Sequence, residues 1–231
     1  MIKIEDLGYG KNGSLFNDLN IVVENGEIYC LICKQEQCLE TIFEIVEGFR
    51  NIYKGKIFID SNDVTESEKR EISLINHIKN INDFETDVYL SSFIDFMCGK
   101  DKKCKNKVLE ILFQFNLFEK DLDIKIKNSD PVDFKAVYLA ISLKNDENNI
   151  VINDFIKNED KEFELKFNIL LEEMKQKDKA ILYLTENIFY ACNIADRVSF
   201  IKNGRLMPAE PIISEHLKEM DVMTLYRKYL S

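Results

Sequence analysis

The sequence predicts an α/β protein built on a mainly parallel sheet with helices on both faces. A strand, a turn and a helix follow one another between residues 27 and 49, and Ile150-Val151-Ile152 is an apolar run suited to a central parallel strand. From there onward, short apolar strands alternate with amphipathic helices, the pattern of parallel pairing through helical crossovers.

Strands are expected at 2–7, 15–23, 27–32 and 56–60, separated by turn signals at Lys11-Asn12-Gly13, Glu24-Asn25-Gly26 and Tyr53-Lys54-Gly55. Between them Leu39, Ile42, Phe43, Ile45, Val46 and Phe49 recur at helical spacing around Gly48, which predicts a helix with one buried face. The middle of the chain reads as three helices, 88–97, 108–117 and 132–143, joined by charged loops. A strand at 150–152, a helix at 161–177, a strand at 180–184, a helix at 187–195 and strands at 198–201 and 205–208 follow. Two short helices, 215–220 and 221–230, close the chain. No repeat and no Gly/Ser-rich or Pro-rich linker divides it, so one domain is expected, with an α/β core at 1–83 and 144–231 and a helical subdomain at 84–143.

At 231 residues, 45% apolar and 31% charged, the chain is long enough to bury a core without staples. It has no run of 18 or more apolar residues that spans a bilayer. A formal charge of −10 argues against a generic nucleic-acid binder, whose affinity rests on a basic face. No basic-then-apolar segment precedes Met1-Ile2-Lys3-Ile4-Glu5, so the six cysteines (Cys30, Cys33, Cys38, Cys98, Cys104, Cys192) are expected reduced in a cytoplasm.

Four segments resemble the ATP-binding subunit of an ABC transporter. Gly26-Glu27-Ile28-Tyr29-Cys30-Leu31-Ile32 is similar to the family's strand before the phosphate loop, and Ile45-Val46-Glu47-Gly48-Phe49 to the end of the helix after it. Gly55-Lys56-Ile57-Phe58-Ile59-Asp60 resembles a G-x-I-x-x-D strand. Ala195-Asp196-Arg197-Val198 through Gly204-Arg205-Leu206 resembles the A-D-R stretch near the family's end. The order fits along the whole chain. The resemblance implies a P-loop NTPase-like fold with a mainly parallel sheet, an N-terminal antiparallel β-subdomain and a helical subdomain.

Carried onto this frame, the family's functional motifs are degenerate. A phosphate loop needs glycines that aim successive N–H groups at phosphate, a lysine for charge and a hydroxyl for Mg²⁺. The frame here reads Cys33-Lys34-Gln35-Glu36-Gln37-Cys38-Leu39-Glu40-Thr41: Cys33 and Cys38 stand for glycines, as does Glu36, Leu39 for the lysine and Glu40 for the hydroxyl. The Mg²⁺ Asp falls on Asn153, the catalytic Glu on Asp154, the switch His on Glu186 and the Gln of the metal site on His77. The signature loop, whose amides bind the γ-phosphate of a second subunit, falls on Asn128-Ser129-Asp130-Pro131, where Pro131 has no N–H to donate and Asp130 adds negative charge. Tyr9 matches the aromatic that stacks on adenine.

Other features have plainer readings beside sharper ones. Cys30, Cys33 and Cys38 have spacing that suits a Zn²⁺ or iron–sulfur site, though Cys30 also reads as a small buried strand residue. The basic run 100–107 suits a solvated loop, or an anionic lipid surface near a membrane partner. His77 is a titratable switch or an ordinary polar residue. The C-terminal helices, with Leu217, Met220, Met223, Leu225, Tyr226 and Tyr229, read as core or as a docking face.

The resemblance therefore implies a non-catalytic ATP-binding-type subunit that scaffolds or regulates a separately encoded transmembrane subunit, by analogy an exporter of peptides, antibiotics or similar amphiphiles. A competent ATP-binding subunit or a second copy of the chain is a further expected partner, at the inner face of the cell membrane, and nucleic acid is not. ATP with Mg²⁺ is the family ligand; none is expected to bind. The alternatives are weak ATPase activity through Tyr9, Lys34 and Asp154, or an interaction module, dimeric or redox-sensing through Cys30 and Cys33.

Overall fold

The computed structural model describes residues 1–10, 15–34, 36–66, 75–79, 86–156, 161–207, 210–211, 222, 224 and 227. Strands β1 (Ile2–Tyr9), β2 (Phe16–Val23), β4 (Lys54–Ile59) and β5 (Asn62–Asp63) form an antiparallel sheet in the order β2-β1-β4-β5. A second sheet runs β10-β9-β3-β8-β7-β6, with β11 (Glu210–Pro211) paired to β9. Its members are β3 (Glu27–Ile32), β6 (Ile75–Lys79), β7 (Asn149–Asn153), β8 (Ala180–Thr185), β9 (Arg197–Lys202) and β10 (Arg205–Leu206). The pairings among β3, β6, β7, β8 and β9 are parallel, and only β10 and β11 run antiparallel to β9.

Helix α1 (Glu36–Glu47) follows β3, and α2 (Leu90–Cys98), α3 (Lys102–Gln114) and α4 (Pro131–Ser142) lie between β6 and β7. Helix α5 (Lys161–Gln176) precedes β8, and α6 (Ile188–Ile194) follows it. Asp101, Asp130 and Asn187 cap α3, α4 and α6 by accepting first-turn N–H groups, with Pro131 at the start of α4, where its missing N–H costs nothing.

Side chains alternate along a strand, so β3 feeds two cores. Ile28, Cys30 and Ile32 enter one shared with α2 to α6, including Phe163 and Phe167 of α5. Tyr29 and Leu31, with Cys33 just beyond the strand, enter the other, made with α1 and the antiparallel sheet. The Asp196-Arg197 pair fastens this sheet. Asp196 accepts the Ile28 N–H at 2.9 Å and Lys175 Nζ at 2.6 Å. Arg197 donates to both Glu27 carboxylate oxygens, at 2.8 and 3.0 Å, and to Val22 O at 2.6 Å, and its guanidinium lies 4.7 Å from the Tyr29 ring centroid.

Several expectations are corrected. Strand β6 was not expected, because Asn76, His77 and Lys79 hide its periodicity. The basic run is no loop over most of its length: Asp101 accepts from the Lys103 and Cys104 amides, so α3 begins at Lys102. Cys98 and Cys104, expected as thiols, form a disulfide with Cα atoms 5.5 Å apart, brought together by the reversal between α2 and α3. The C-terminal helices lie outside the described residues except at 222, 224 and 227, where Val222 is buried. Among the described residues, no helix is long and apolar enough to cross a membrane.

Candidate functional site

The carboxyl ends of parallel strands are where α/β sheets place ligand sites, and the predicted site residues concentrate at the ends of β3, β7 and β8. Residues 33–35 alone separate β3 from α1. Helical geometry is already set at Gln37, whose carbonyl accepts the Thr41 hydroxyl at 2.7 Å. Cys33, Cys38, Leu39 and Thr41 are buried, with Leu39 packed in the core on the α1 side of the sheet. The neighbouring Cys33 thiol, together with burial, pushes the Cys38 thiol far above its ordinary range. Lys34 is exposed and Glu40 partly so.

At the ends of β7 and β8, Asn153 lies opposite Leu184 and Asp154 contacts Thr185. The Asp154 N–H donates to Leu184 O at 2.8 Å, and Asp154 Oδ1 accepts the Thr185 hydroxyl at 2.8 Å. Thr185 Oγ1 also accepts the Asn187 N–H at 3.0 Å, so one buried hydroxyl joins the end of β7 to the start of α6. Asp154 has φ 43°, in the left-handed region that costs most residues energy and that Asp and Asn enter more easily. Glu186, partly buried, sits between Thr185 and the α6 cap Asn187. Sequence reasoning passed over Thr185. Its signal is a polar residue closing the apolar run Ala180–Thr185.

His77 stands elsewhere. It lies mid-strand in β6, opposite Val151, two residues short of the strand end, with its ring edge-on to Phe43 of α1 at 6.0 Å. Its Nδ1 is 3.6 Å from Glu47 Oε1, yet burial holds its pKa down at about 4, so the ring is neutral at ordinary pH. The position expected to join the metal site is therefore a packing residue behind it.

Tyr9, the expected adenine-stacking residue, accepts Arg50 Nη1 at 3.1 Å on its hydroxyl, and the guanidinium lies 5.9 Å from the ring centroid. Glu44 of α1 holds the same Arg50. Arg50 was not singled out from sequence, since nothing in its local pattern marks it.

The expected signature segment forms the entry to α4. The Ser129 hydroxyl donates to Ile126 O at 2.8 Å, and Asp130 caps the helix through the Val132 N–H at 2.8 Å. The helix N-terminus is thus met by its own carboxylate. Burial, with Asp130 and Asp121 nearby, raises the Asp133 pKa one turn further in.

The cysteine set expected as a possible metal site does not converge. Cys30 points into one core, Cys33 and Cys38 into the other, across the sheet. Burial pushes the Cys30 thiol well up, away from the thiolate a metal needs. Among the described residues no group of three or more His, Cys, Asp or Glu is placed to hold a metal ion.

This architecture is the fold of the ATP-binding cassettes of ABC transporters. The ATP-binding subunit of an ABC transporter matches with TM-score 0.83 and 15% identity over 98% of this chain and 99% of that one. MJ1267, an ATP-binding cassette of an ABC transporter in its ADP conformation, matches with TM-score 0.81 and 16% identity over 98% of each chain. The protein cbiO1 from Clostridium perfringens, part of the ABC transporter complex cbiONQ, matches with TM-score 0.79 and 18% identity over 99% of this chain and 95% of that one. No protein-family model matches the sequence, and no curated protein matches it.

Proposed function

We propose that the chain is a non-catalytic ATP-binding-type subunit of an ABC transporter, scaffolding or regulating a separately encoded membrane-spanning subunit. The observation that carries this reading is the junction of β3 and α1. Three residues link strand to helix, and Leu39, at the position expected for a phosphate-binding lysine, is 1% exposed and packed in the core. Phosphoryl transfer relies on positioning and charge stabilisation by loop amides, a lysine and Mg²⁺. Here the two buried thiols of Cys33 and Cys38 occupy that place, and a neutral Asn153 stands where the metal ligand is expected.

Full-length likeness to cassettes of ABC transporters supports the subunit role. The ATP-binding cassette MJ0796 has a dimeric structure bound to ADP and Pi, which supports a competent subunit or a second copy as partner. The helices of residues 90–142 expose Phe96 by 83% and Phe113 by 65%. They suit docking to a membrane subunit at the inner face of the membrane. An exporter of peptides or similar amphiphiles is the transporter class this reading favours.

The test is calorimetric titration of the chain with ATP, with and without Mg²⁺. No heat of binding at millimolar ATP is expected; micromolar binding overturns the non-catalytic reading. Co-purification with the membrane protein encoded beside it checks the scaffold role, and its failure removes that part.

A further inference from the structure

The corner between α2 and α3 holds chemistry that the nucleotide-site reading does not use. Cys98 ends α2, Gly99 turns the chain at φ 59°, Asp101 caps α3, and Cys104 sits in the first turn of α3. Cys98 is 8% exposed, whereas Cys104 is half-buried and borders a groove of about 770 Å³. Lys103, Lys107 and Lys144 line this groove together with Asp101, Glu110, Asp146 and Glu147, and Lys107 Nζ lies 3.7 Å from Asp146 Oδ1. Lysines and the N-terminus of α3 favour negative charge on the Cys104 sulfur, against the opposing Asp101 and Asp146 carboxylates. The corner has supports besides the disulfide: Lys105 Nζ lies 2.8 Å from Asp95 Oδ1, Lys144 Nζ donates to Met97 O at 2.6 Å, and the Asp101 cap spans it. Of the cysteines outside this disulfide, Cys30, Cys33 and Cys38 are buried, and burial pushes the half-buried Cys192 thiol up to about 11.

We propose that Cys98 and Cys104 form a reversible thiol–disulfide site that exchanges with a small zwitterionic peptide disulfide of the glutathione class, Cys104 being the attacking thiol and Cys98 the resolving one. The half-buried Cys104 thiolate attacks one sulfur of R–S–S–R, forms Cys104–S–S–R and releases R–S⁻. Cys98, giving its proton to solvent, then attacks the Cys104 sulfur and expels a second R–S⁻. Two protein thiols are oxidised to one disulfide, and the small disulfide is reduced to two thiols, a balanced two-electron exchange. The groove lysines suit the carboxylates of the peptide thiol, and Asp101, Glu110, Asp146 and Glu147 suit its ammonium group. Disulfides that persist in reducing compartments are usually of this transient kind, which fits a pair placed on a corner with other supports.

The experiment incubates the full-length chain in mixtures of reduced and oxidised glutathione, quenches with acid, alkylates and reads Cys98 and Cys104 by mass spectrometry. Complete, reversible interconversion is expected in the native protein, with an unchanged circular-dichroism spectrum. A bond that yields only after denaturation, or a pair that stays reduced under excess oxidised glutathione, overturns the proposal. In Cys98→Ser, glutathione is expected to be trapped on Cys104 several-fold faster than on Cys98 in Cys104→Ser, because Cys98 is buried and Cys104 only half-buried. Equal rates overturn the assignment of Cys104. Lys103→Gln with Lys107→Gln in the Cys98→Ser chain is expected to slow trapping of glutathione several-fold but not of neutral 2-hydroxyethyl disulfide; equal slowing of both overturns recognition by the groove. If a serine variant fails to fold, the wild-type titration still decides reversibility.

Discussion

Thr185 donates its hydroxyl to Asp154 Oδ1 at 2.8 Å while accepting the Asn187 N–H at 3.0 Å. The carboxylate at the expected catalytic position is thereby part of the frame that fixes the end of β7 against the start of α6.

Thr185→Val removes that buried hydroxyl and leaves the Asn187 N–H without its acceptor. The expected cost is about 1–3 kcal/mol, read from the urea midpoint at unchanged slope. Asp154→Asn keeps an acceptor oxygen and a residue type that tolerates φ near 43°, so its loss is expected to be smaller, under about 1 kcal/mol.

Leu39→Lys tests whether the phosphate-loop lysine can simply be restored. Leu39 is 1% exposed, so the substitution buries an amine among apolar side chains and removes packing, for an expected loss of about 3 kcal/mol or more. No ATP heat is expected to appear in calorimetry. A stable variant that binds ATP would mean that the loop reopens readily.

His77 makes stability fall in mild acid. Its folded pKa of about 4 lies below the ordinary 6.5, because burial among α1 side chains outweighs Glu47 Oε1 3.6 Å away. The unfolded chain therefore binds a proton first. The stability is fully present above pH 6.5, declines as pH falls toward 4, and by then has dropped by roughly 3 kcal/mol, at about 1.4 kcal/mol per pH unit. Urea midpoints of wild type and His77→Leu across that range check this: the variant is expected to lose most of the slope.

Arg197→Lys keeps the charge but loses the two-pronged contact with Glu27 and the planar cover on Tyr29. The expected loss is about 1–2 kcal/mol, visible as a lower thermal midpoint, with Arg197→Ala costing more. If the two variants match wild type, the clamp between β9 and β3 contributes nothing.

What sequence alone determined is local. Apolar periodicity placed α1, α4, α5 and α6 to within a few residues and marked β3, β7 and β8 as continuous buried runs, because these patterns depend on neighbours a few positions away. The resemblance of residues 195–206 to a family stretch pointed to the right fold, and Asp196 and Arg197 prove to be fasteners of the sheet. Strand β6 carries no apolar pattern in sequence, because the polar Asn76 and His77 take buried and half-buried places in it, His77 against Phe43 of α1.

Tertiary structure decided the rest. Cys30 and Cys33 are three residues apart in sequence yet fall on opposite faces, because an odd offset along a strand reverses the side chain, while Cys33 meets Cys38 once α1 begins early. Cys98 meets Cys104 only because the chain reverses between α2 and α3. Arg197 reaches Glu27, 170 positions away, only because β9 lies beside β3 in the sheet. Spacing in sequence sets which residues share an element. Strand order and the two faces of the sheet set which of them touch.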